Sequence, residues 1–404
     1  MAKPAWCRVL LIATAAQLSV SGCSTPSRLP AVPVTASAEA APTLSSVRFL
    51  VSRESDSFAA EALRALAKEQ KWLADQGRTG ELPPAYFLAI SGGGDNGAYG
   101  AGFLNGWTAS GTRPEFKVVT GISTGALIAP FAFLGPRYDN VLEKVYTTST
   151  QKDIFLKRGL LKGLFGDSMA DTRPLAGVIS SYVNRQLLDE IAAEYAKGRI
   201  LLVGTTNLDS LEPVIWNMTA IAASNDPNSI SLFQKILLAS ASIPGAFPPV
   251  MIDVNLDGTQ YQEMHVDGGT VAQLFLYPPS LHLSNAPPRK RVAYIIRNAR
   301  LDADWASTQR STMSIAMRAI DSLTRTQGIG DLYRVYATTQ RDGVDFNLTF
   351  IPPSFTLPHT EMFDTAYMKP LYDVGLNAAK TGYVWQKYPP GFETPVQAAA
   401  SQRP

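Results

Sequence analysis

With 404 residues, 46% of them hydrophobic and 17% charged, the chain has enough apolar material for a large buried core and lacks the charge excess of a disordered protein. The formal net charge is +2 at pH 7, and Lys3 and Arg8 are the only charged residues before Cys23, so the remainder is neutral. A neutral body offers no electrostatic footing for nucleic acid.

Lys3 and Arg8 precede an apolar run from Val9 to Val20, with no acidic residue. This layout predicts a signal peptide over residues 1–22, because the apolar run is too short to span a bilayer. Val20-Ser21-Gly22-Cys23 looks like a bacterial lipobox, in which Cys23 would be diacylated and become the mature N-terminus; an ordinary secreted protein cut elsewhere is the alternative. Cys7 falls inside the leader, so the mature chain would hold one acylated cysteine and no disulfide. Ser24 stands where an aspartate often accompanies inner-membrane retention, which predicts a lipid-anchored protein of the cell envelope, on the outer membrane if the host has one. Residues 23–45 are rich in Ala, Pro, Ser and Thr and read as a tether, residues 389–404 as a loose tail, and 46–388 as one folded domain.

Strand-like and helix-like segments alternate along that domain. Tyr86 to Ile90 precedes a helical stretch from Asn96 to Thr108, and Phe116 to Thr120 precedes another from Thr124 to Leu134, a rhythm that predicts an α/β sheet. Asp171-Thr172-Arg173-Pro174 reads as a helix start into Leu175 to Ala196, followed by paired strands at Ile200 to Thr206 and Pro213 to Asn217. Further on, Arg291 to Arg297 reads as a buried strand, Ser307 to Thr338 as one or two helices, Val344 to Ile351 as a strand and Glu361 to Lys380 as a closing helix.

Gly121-Ile122-Ser123-Thr124-Gly125 fits the G-x-S-x-G elbow, in which a serine is exposed on a tight strand-to-helix turn. A strand-like lead-in and a helical lead-out support that context, against the alternative of an ordinary Gly-Ser turn. About thirty residues earlier, Ser91-Gly92-Gly93-Gly94-Asp95-Asn96-Gly97 follows a strand and opens a helix, so it can present backbone N–H groups to an anion. Gly92, Gly94 and Gly97 also match the dinucleotide fingerprint G-x-G-x-x-G, but that motif needs an acidic residue at the end of the next strand. No Asp or Glu lies between Lys117 and Tyr138.

The base for the serine is harder to assign, since the chain has three histidines, His265, His282 and His359. Asp267, in Met264-His265-Val266-Asp267-Gly268-Gly269, sits where a strand is halted by two glycines, and a carboxylate there could take the serine proton directly. A turn-forming Asp before Gly is the other reading. His265 shares the strand face of Asp267 and reads as a packed or solvated neighbour rather than a triad member.

The glycine run, the serine elbow and Asp267-Gly268-Gly269, in this order, resemble the patatin-like phospholipase family, as does Ala239-Ser240-Ala241-Ser242-Ile243-Pro244-Gly245-Ala246-Phe247-Pro248-Pro249 ahead of the aspartate. The resemblance spans roughly Ala85 to Arg297. It implies a three-layer α/β/α sandwich with a mostly parallel central sheet. It also implies a Ser123–Asp267 dyad without histidine, an oxyanion hole from the amides of Gly92, Gly93, Gly94 and Thr124, and supporting glycines at Gly97, Gly121, Gly125, Gly268 and Gly269. The activity implied is lipid acyl hydrolysis of the phospholipase A or lysophospholipase type, on a phospholipid or other acyl ester, with no metal or organic cofactor. A short-chain carboxylesterase and a catalytically silent envelope lipoprotein are the alternatives. Ser91 and Asn96 depart from the family, which usually has an acidic residue and a cation at those positions.

Two further signals are weaker. Asp253, Asn255, Asp257 and Gly258 match the first half of a calcium loop, but position 264 is Met264, so a hairpin turning at Asp257-Gly258 is favoured. Residues 154–166, from Ile154 to Gly166, mix bulky apolar side chains with Lys157, Arg158 and Lys162 and read as a lid touching a membrane surface or as an apolar flap.

Overall fold

The computed structural model describes residues 26–36, 39–42, 44, 47–51, 55–159, 166–303, 305 and 307–392. The expected leader, the lipidation position Cys23, residues 160–165 of the expected lid and residues 393–404 lie outside the described residues.

Its strands, in chain order, are β1 Ala41–Pro42, β2 Arg48–Leu50, β3 Ala85–Ile90, β4 Val118–Ile122, β5 Leu156–Lys157, β6 Ala170–Asp171, β7 Ile200–Asn207, β8 Glu212–Asn217, β9 Val250–Leu256, β10 Thr259–Asp267, β11 Arg291–Arg297 and β12 Asp345–Phe350. Apart from the small β5–β6 pair, they form one sheet in the order β1-β9-β10-β7-β4-β3-β11-β12, with β8 branching from β7 and β2 from β8. The central run β7-β4-β3-β11-β12 is parallel throughout. The flank made by β8, β2, β10, β9 and β1 is antiparallel.

Parallel strands covered on both faces read as nearly continuous apolar runs, and β3 and β7 do so because their alternate residues enter different cores. Leu88 and Ile90 of β3, with Leu201 and Val203 of β7, join the large core under the helices Gly97–Ala109, Thr124–Leu134, Arg185–Ala196, Ser229–Ser240 and Thr365–Lys380. Phe87 and Ala89 point the other way, to Leu332 and Val335 of the Thr312–Arg341 helix. Ile200 and Leu202 meet Phe58 and Ala65 of the Ser55–Asp75 helix on that same side. Helices, sheet and helices thus make the three layers.

Predicted and observed elements differ where a local polar group competes with helix propagation. The stretch Leu175 to Ala196 is two helices, Arg173–Tyr182 and Arg185–Ala196, because the Asn184 side chain accepts the Leu187 N–H at 3.0 Å and starts a new one. The helix expected from Ser307 begins at Thr312, capped by Ser311, and runs unbroken to Arg341. The hairpin reading of Asp257-Gly258 holds, with both residues at positive φ between β9 and β10.

Part of the expected tether is docked. Arg28 pairs with both oxygens of Asp209 at 2.9 Å, and β1 adds to β9. Composition could not exclude this, since Pro42 at a sheet edge leaves no ladder N–H unmade. At the other end, Pro390 accepts from Tyr333, and Phe392 meets Tyr333 at a tilt and Tyr336 edge-on, so the start of the expected tail is packed.

The glycine-rich helix Gly97–Ala109 is fixed by Thr365–Lys380 through a close crossing. A Cβ at Gly102 would stand 2.0 Å from the Tyr372 carbonyl, one at Gly106 2.1 Å from that of Leu376, and one at Gly375 2.2 Å from that of Tyr99. Gly106→Leu should therefore lower stability by at least about 2 kcal/mol, read from urea unfolding, because backbone cannot yield as a side chain can.

Candidate active site

β4 ends at Ile122, and Ser123 turns the chain into the Thr124–Leu134 helix with φ 56° and ψ −127°. A non-glycine residue in that region carries strain, and the turn leaves the hydroxyl standing above the strand end. The flanking glycines are needed for space: a Cβ at Gly121 would meet the Gly125 carbonyl at 2.4 Å, and one at Gly125 the Ile90 carbonyl at 2.2 Å.

The sheet register brings Asp267 to the same level. Ile122 pairs with Gly204 of β7 on one side, while Asp267 pairs with Thr205 of β7 on the other. β7 lies between the two residues, and at Gly204 it has no side chain to block them. Gly268 passes so near that strand that its Cβ would meet the Gly204 carbonyl at 2.5 Å.

Asp267 is buried, faces the Ser123 hydroxyl, and accepts the Gly269 N–H at 2.7 Å. Burial pushes its carboxyl from 3.8 up to about 7, and the hydrogen bonds from Ser123 and Gly269 pull it only partly back. No cation is among the groups acting on it. A carboxylate of that basicity, beside a hydroxyl, can serve as its proton acceptor near neutral pH.

The segment after the Ser229–Ser240 helix holds both residues in place. Ser240 Oγ accepts the Ser123 N–H at 3.0 Å and donates to the Gly204 carbonyl at 2.7 Å, while the Asp267 N–H donates to the Ser242 carbonyl at 2.9 Å.

The glycine loop lies beside the serine. Gly93 has φ 154° and ψ 6°, open only to glycine, and a Cβ there would fall 2.2 Å from the Asn298 carbonyl. Asn298 also binds Ser91 twice, its N–H to Ser91 Oγ at 2.8 Å and its side-chain amide to the Ser91 carbonyl at 2.9 Å. Gly92 departs from the expected set of oxyanion donors: its N–H is committed to the Gln273 carbonyl at 3.0 Å. The amides of Gly93, Gly94 and Thr124 have no such acceptor among the described residues and remain for an anion. Gly97 supports the site sterically, its Cα facing Thr124 so closely that a Cβ would lie 2.2 Å from Oγ1.

Ser91 is buried in this clamp, and Asn96 accepts from the Tyr367 hydroxyl at 2.7 Å, so neither departure from the family pattern puts a charge beside the loop. Asp95 binds the His359 Nε2 and the Phe363 N–H, both at 2.7 Å, and so ties a later segment to the loop. His265 is packed, bonded to Thr205 and Glu263, and burial lowers its pKa despite that carboxylate. His282 is exposed.

An apolar cavity, open at its mouth, leads away from Ser123, Gly94 and Thr124. Leu127, Phe131, Leu142, Leu175, Ile179 and Leu237 line it, with Ile154 and Phe363 also on the wall. Of the expected lid, Ile154 and Phe155 are buried, Ile154 on the cavity wall, and β5 pairs with β6.

Residues 88–278 match the sequence profile of the family described as patatin-like phospholipase. Over that stretch the chain is similar to the patatin-like phospholipase family. That stretch runs from β3 through the serine elbow to just beyond Asp267. No curated protein matches the chain in sequence. Two solved structures are distantly similar: VipD from Legionella pneumophila, at 13% identity and a TM-score of 0.36, covering 76% of this chain and 68% of that one; and human GIVD cytosolic phospholipase A2, at 10% and 0.32, covering 76% and 55%. This chain's match therefore spans just over half of the latter's length.

Three residues of the patatin-like site carry no motif signal as donors or clamps. Ser240 stands inside a motif that names it without a role, whereas Asn298 and Gln273 reach the loop through the ends of other segments. An Asn that directly follows a parallel strand, on the edge where β3 and β4 also end, is the one cue that could have been found.

Ser240→Ala should leave the Ser123 amide and the Gly204 carbonyl short of a partner, lowering stability by about 1–3 kcal/mol in chemical unfolding and esterase kcat more than KM. Because folded Asp267 holds its proton more tightly than the unfolded chain does, its ionisation costs stability as pH rises from about 4 to about 7. Asp267→Asn is thus expected to raise Tm at pH 8 by at least about 2 °C and to change it little at pH 4.

Proposed function

We propose that the protein is a lipid acyl hydrolase of the phospholipase A or lysophospholipase type, working through a Ser123–Asp267 dyad and an acyl-enzyme. Asp267 accepts the Ser123 proton as Oγ attacks the ester carbonyl. The amides of Gly93, Gly94 and Thr124 take the oxyanion, each donor being worth about 2.7–4 kcal/mol in other hydrolases. Asp267 then returns the proton to the leaving alcohol, and water, deprotonated by the same carboxylate, releases the acyl group.

The observation that carries this reading is the apolar cavity that begins at Ser123. An alkyl chain placed there leaves its carbonyl carbon at the hydroxyl and its carbonyl oxygen among the free amides. A short soluble ester would leave most of that wall wet, which argues for a long-chain substrate. Acylation at Cys23, which would keep the enzyme at an envelope membrane and within reach of such lipids, is part of the same proposal.

The test compares p-nitrophenyl esters of short and long chains with phospholipid in mixed micelles. Long-chain substrates should give the higher kcat/KM, and activity confined to short esters would reject the phospholipase assignment. A fluorophosphonate probe should label the protein and fail on Ser123→Ala, and that variant and Asp267→Asn should each lose about 10³-fold or more of kcat. On a soluble ester, kcat/KM should rise with pH through about 7 as Asp267 ionises.

A further inference from the structure

The Thr312–Arg341 helix has an unusual relation to the body. Its later half is packed, with Leu332 and Val335 in the core. Before Gly328, none of its described residues is buried. Thr312 to Gln327 extends roughly 24 Å along the helix, and none of its side chains among the described residues is buried. Ile315, Ile320 and Leu323 are 53%, 40% and 70% exposed, and Ala316 and Ala319 fall between them on the helical wheel, in one arc of about 140°.

The polarity is reversed from that of an ordinary surface helix. Arg318, Asp321 and Arg325 occupy the opposite arc, and Arg325 is the residue tied to the body, donating to the carbonyls of Leu301 and Asp302 at 2.8 and 3.0 Å. Arg325 thus ties the charged side to the protein, while Ile315, Ile320 and Leu323 are exposed. Trp305, 86% exposed, follows that anchoring loop.

The end of this stretch borders the glycine loop. Gln327 accepts from the Gln273 side chain at 3.3 Å, and Gln273 takes the Gly92 N–H. Arg300, at the start of the anchoring loop, donates to the Phe355 carbonyl at 2.8 Å, and the segment after Phe355 carries exposed Leu357 before reaching Asp95 through His359.

We infer that the Ile315–Leu323 face and Trp305 dock the protein on a zwitterionic phospholipid bilayer and set the mouth of the serine site against it. The inference rests on the lipid hydrolase reading for its choice of occupant. Residues 301–325 contain three Arg and three Asp, so the patch has no net charge to select an anionic surface and must hold by apolar insertion. An exposed Trp beside aliphatic side chains suits the boundary between head groups and acyl chains.

The test uses the chain from Ser24 onward, which keeps every described residue and removes leader and anchor, with Ser123→Ala to prevent turnover. It should sediment with phosphatidylcholine vesicles, and high salt should not release it. Ile320→Glu with Leu323→Glu should reduce partitioning at least about tenfold with unchanged Tm, since neither side chain enters the core. In the active protein the same pair should spare hydrolysis of a soluble short ester and lower that of vesicle phospholipid by a similar factor. Equal vesicle binding by parent and variant, no binding by the parent, or a parent dimer that the glutamates dissociate would each overturn the proposal. Vesicle binding that the glutamates abolish, in a protein inert towards every ester, would leave docking intact and remove the hydrolase reading instead.

Discussion

A carboxyl group buried without a cation is costly, and the candidate site is arranged around one. Asp267 has a hydroxyl and an amide for company, so desolvation dominates and its pKa rises to about 7. A salt bridge would have stabilised the carboxylate and made it a poor base. An apolar cavity begins on the other side of the same hydroxyl, lined by Leu127, Phe131 and Leu237.

Holding that pair together takes more than the two residues. β7 separates them and must be bare at Gly204. The Ser240 hydroxyl binds the backbone of both β7 and the elbow, and Ser242 takes the Asp267 amide. These contacts are backbone-directed, so they fix the chain rather than tune the chemistry, and they oppose the relaxation that positive φ at Ser123 would otherwise invite. Asn298 does the same for the glycine loop, whose free amides can act on an anion only if the loop cannot turn to satisfy them itself.

Charge is kept away from the reacting atoms. Neither Ser91 nor Asn96 brings an ion to the loop, the nearest histidine on β10 is sealed against Glu263 and Thr205, and Asp95 is spent on tying down His359 and Phe363. Stabilisation of an oxyanion would then fall to backbone dipoles, which need no counter-ion and cost no reorganisation. Outside the site, the Thr312–Arg341 helix holds Arg325 against Leu301 and Asp302 and leaves Ile315, Ile320 and Leu323 exposed.

Glycine spacing and strand-to-helix alternation are local properties written in consecutive residues, so an α/β sheet, the serine elbow, the glycine loop and Asp267 as a candidate acid were legible in the sequence, while the three layers came from the family resemblance. The sequence misjudged lengths wherever a polar side chain could start a new helix, as Asn184 does, or an edge strand could capture a stretch read as tether, as β9 captures Ala41–Pro42. Not legible there are the bond from the Gly92 amide to Gln273, the clamps made by Asn298 and Ser240, and the burial of Asp267 beside Ser123 without a cation. The reason is physical: hydrogen-bond partners and desolvation depend on which strand ends meet. The register of β4 and β10 across β7 joins residues 144 positions apart, and no local pattern records it.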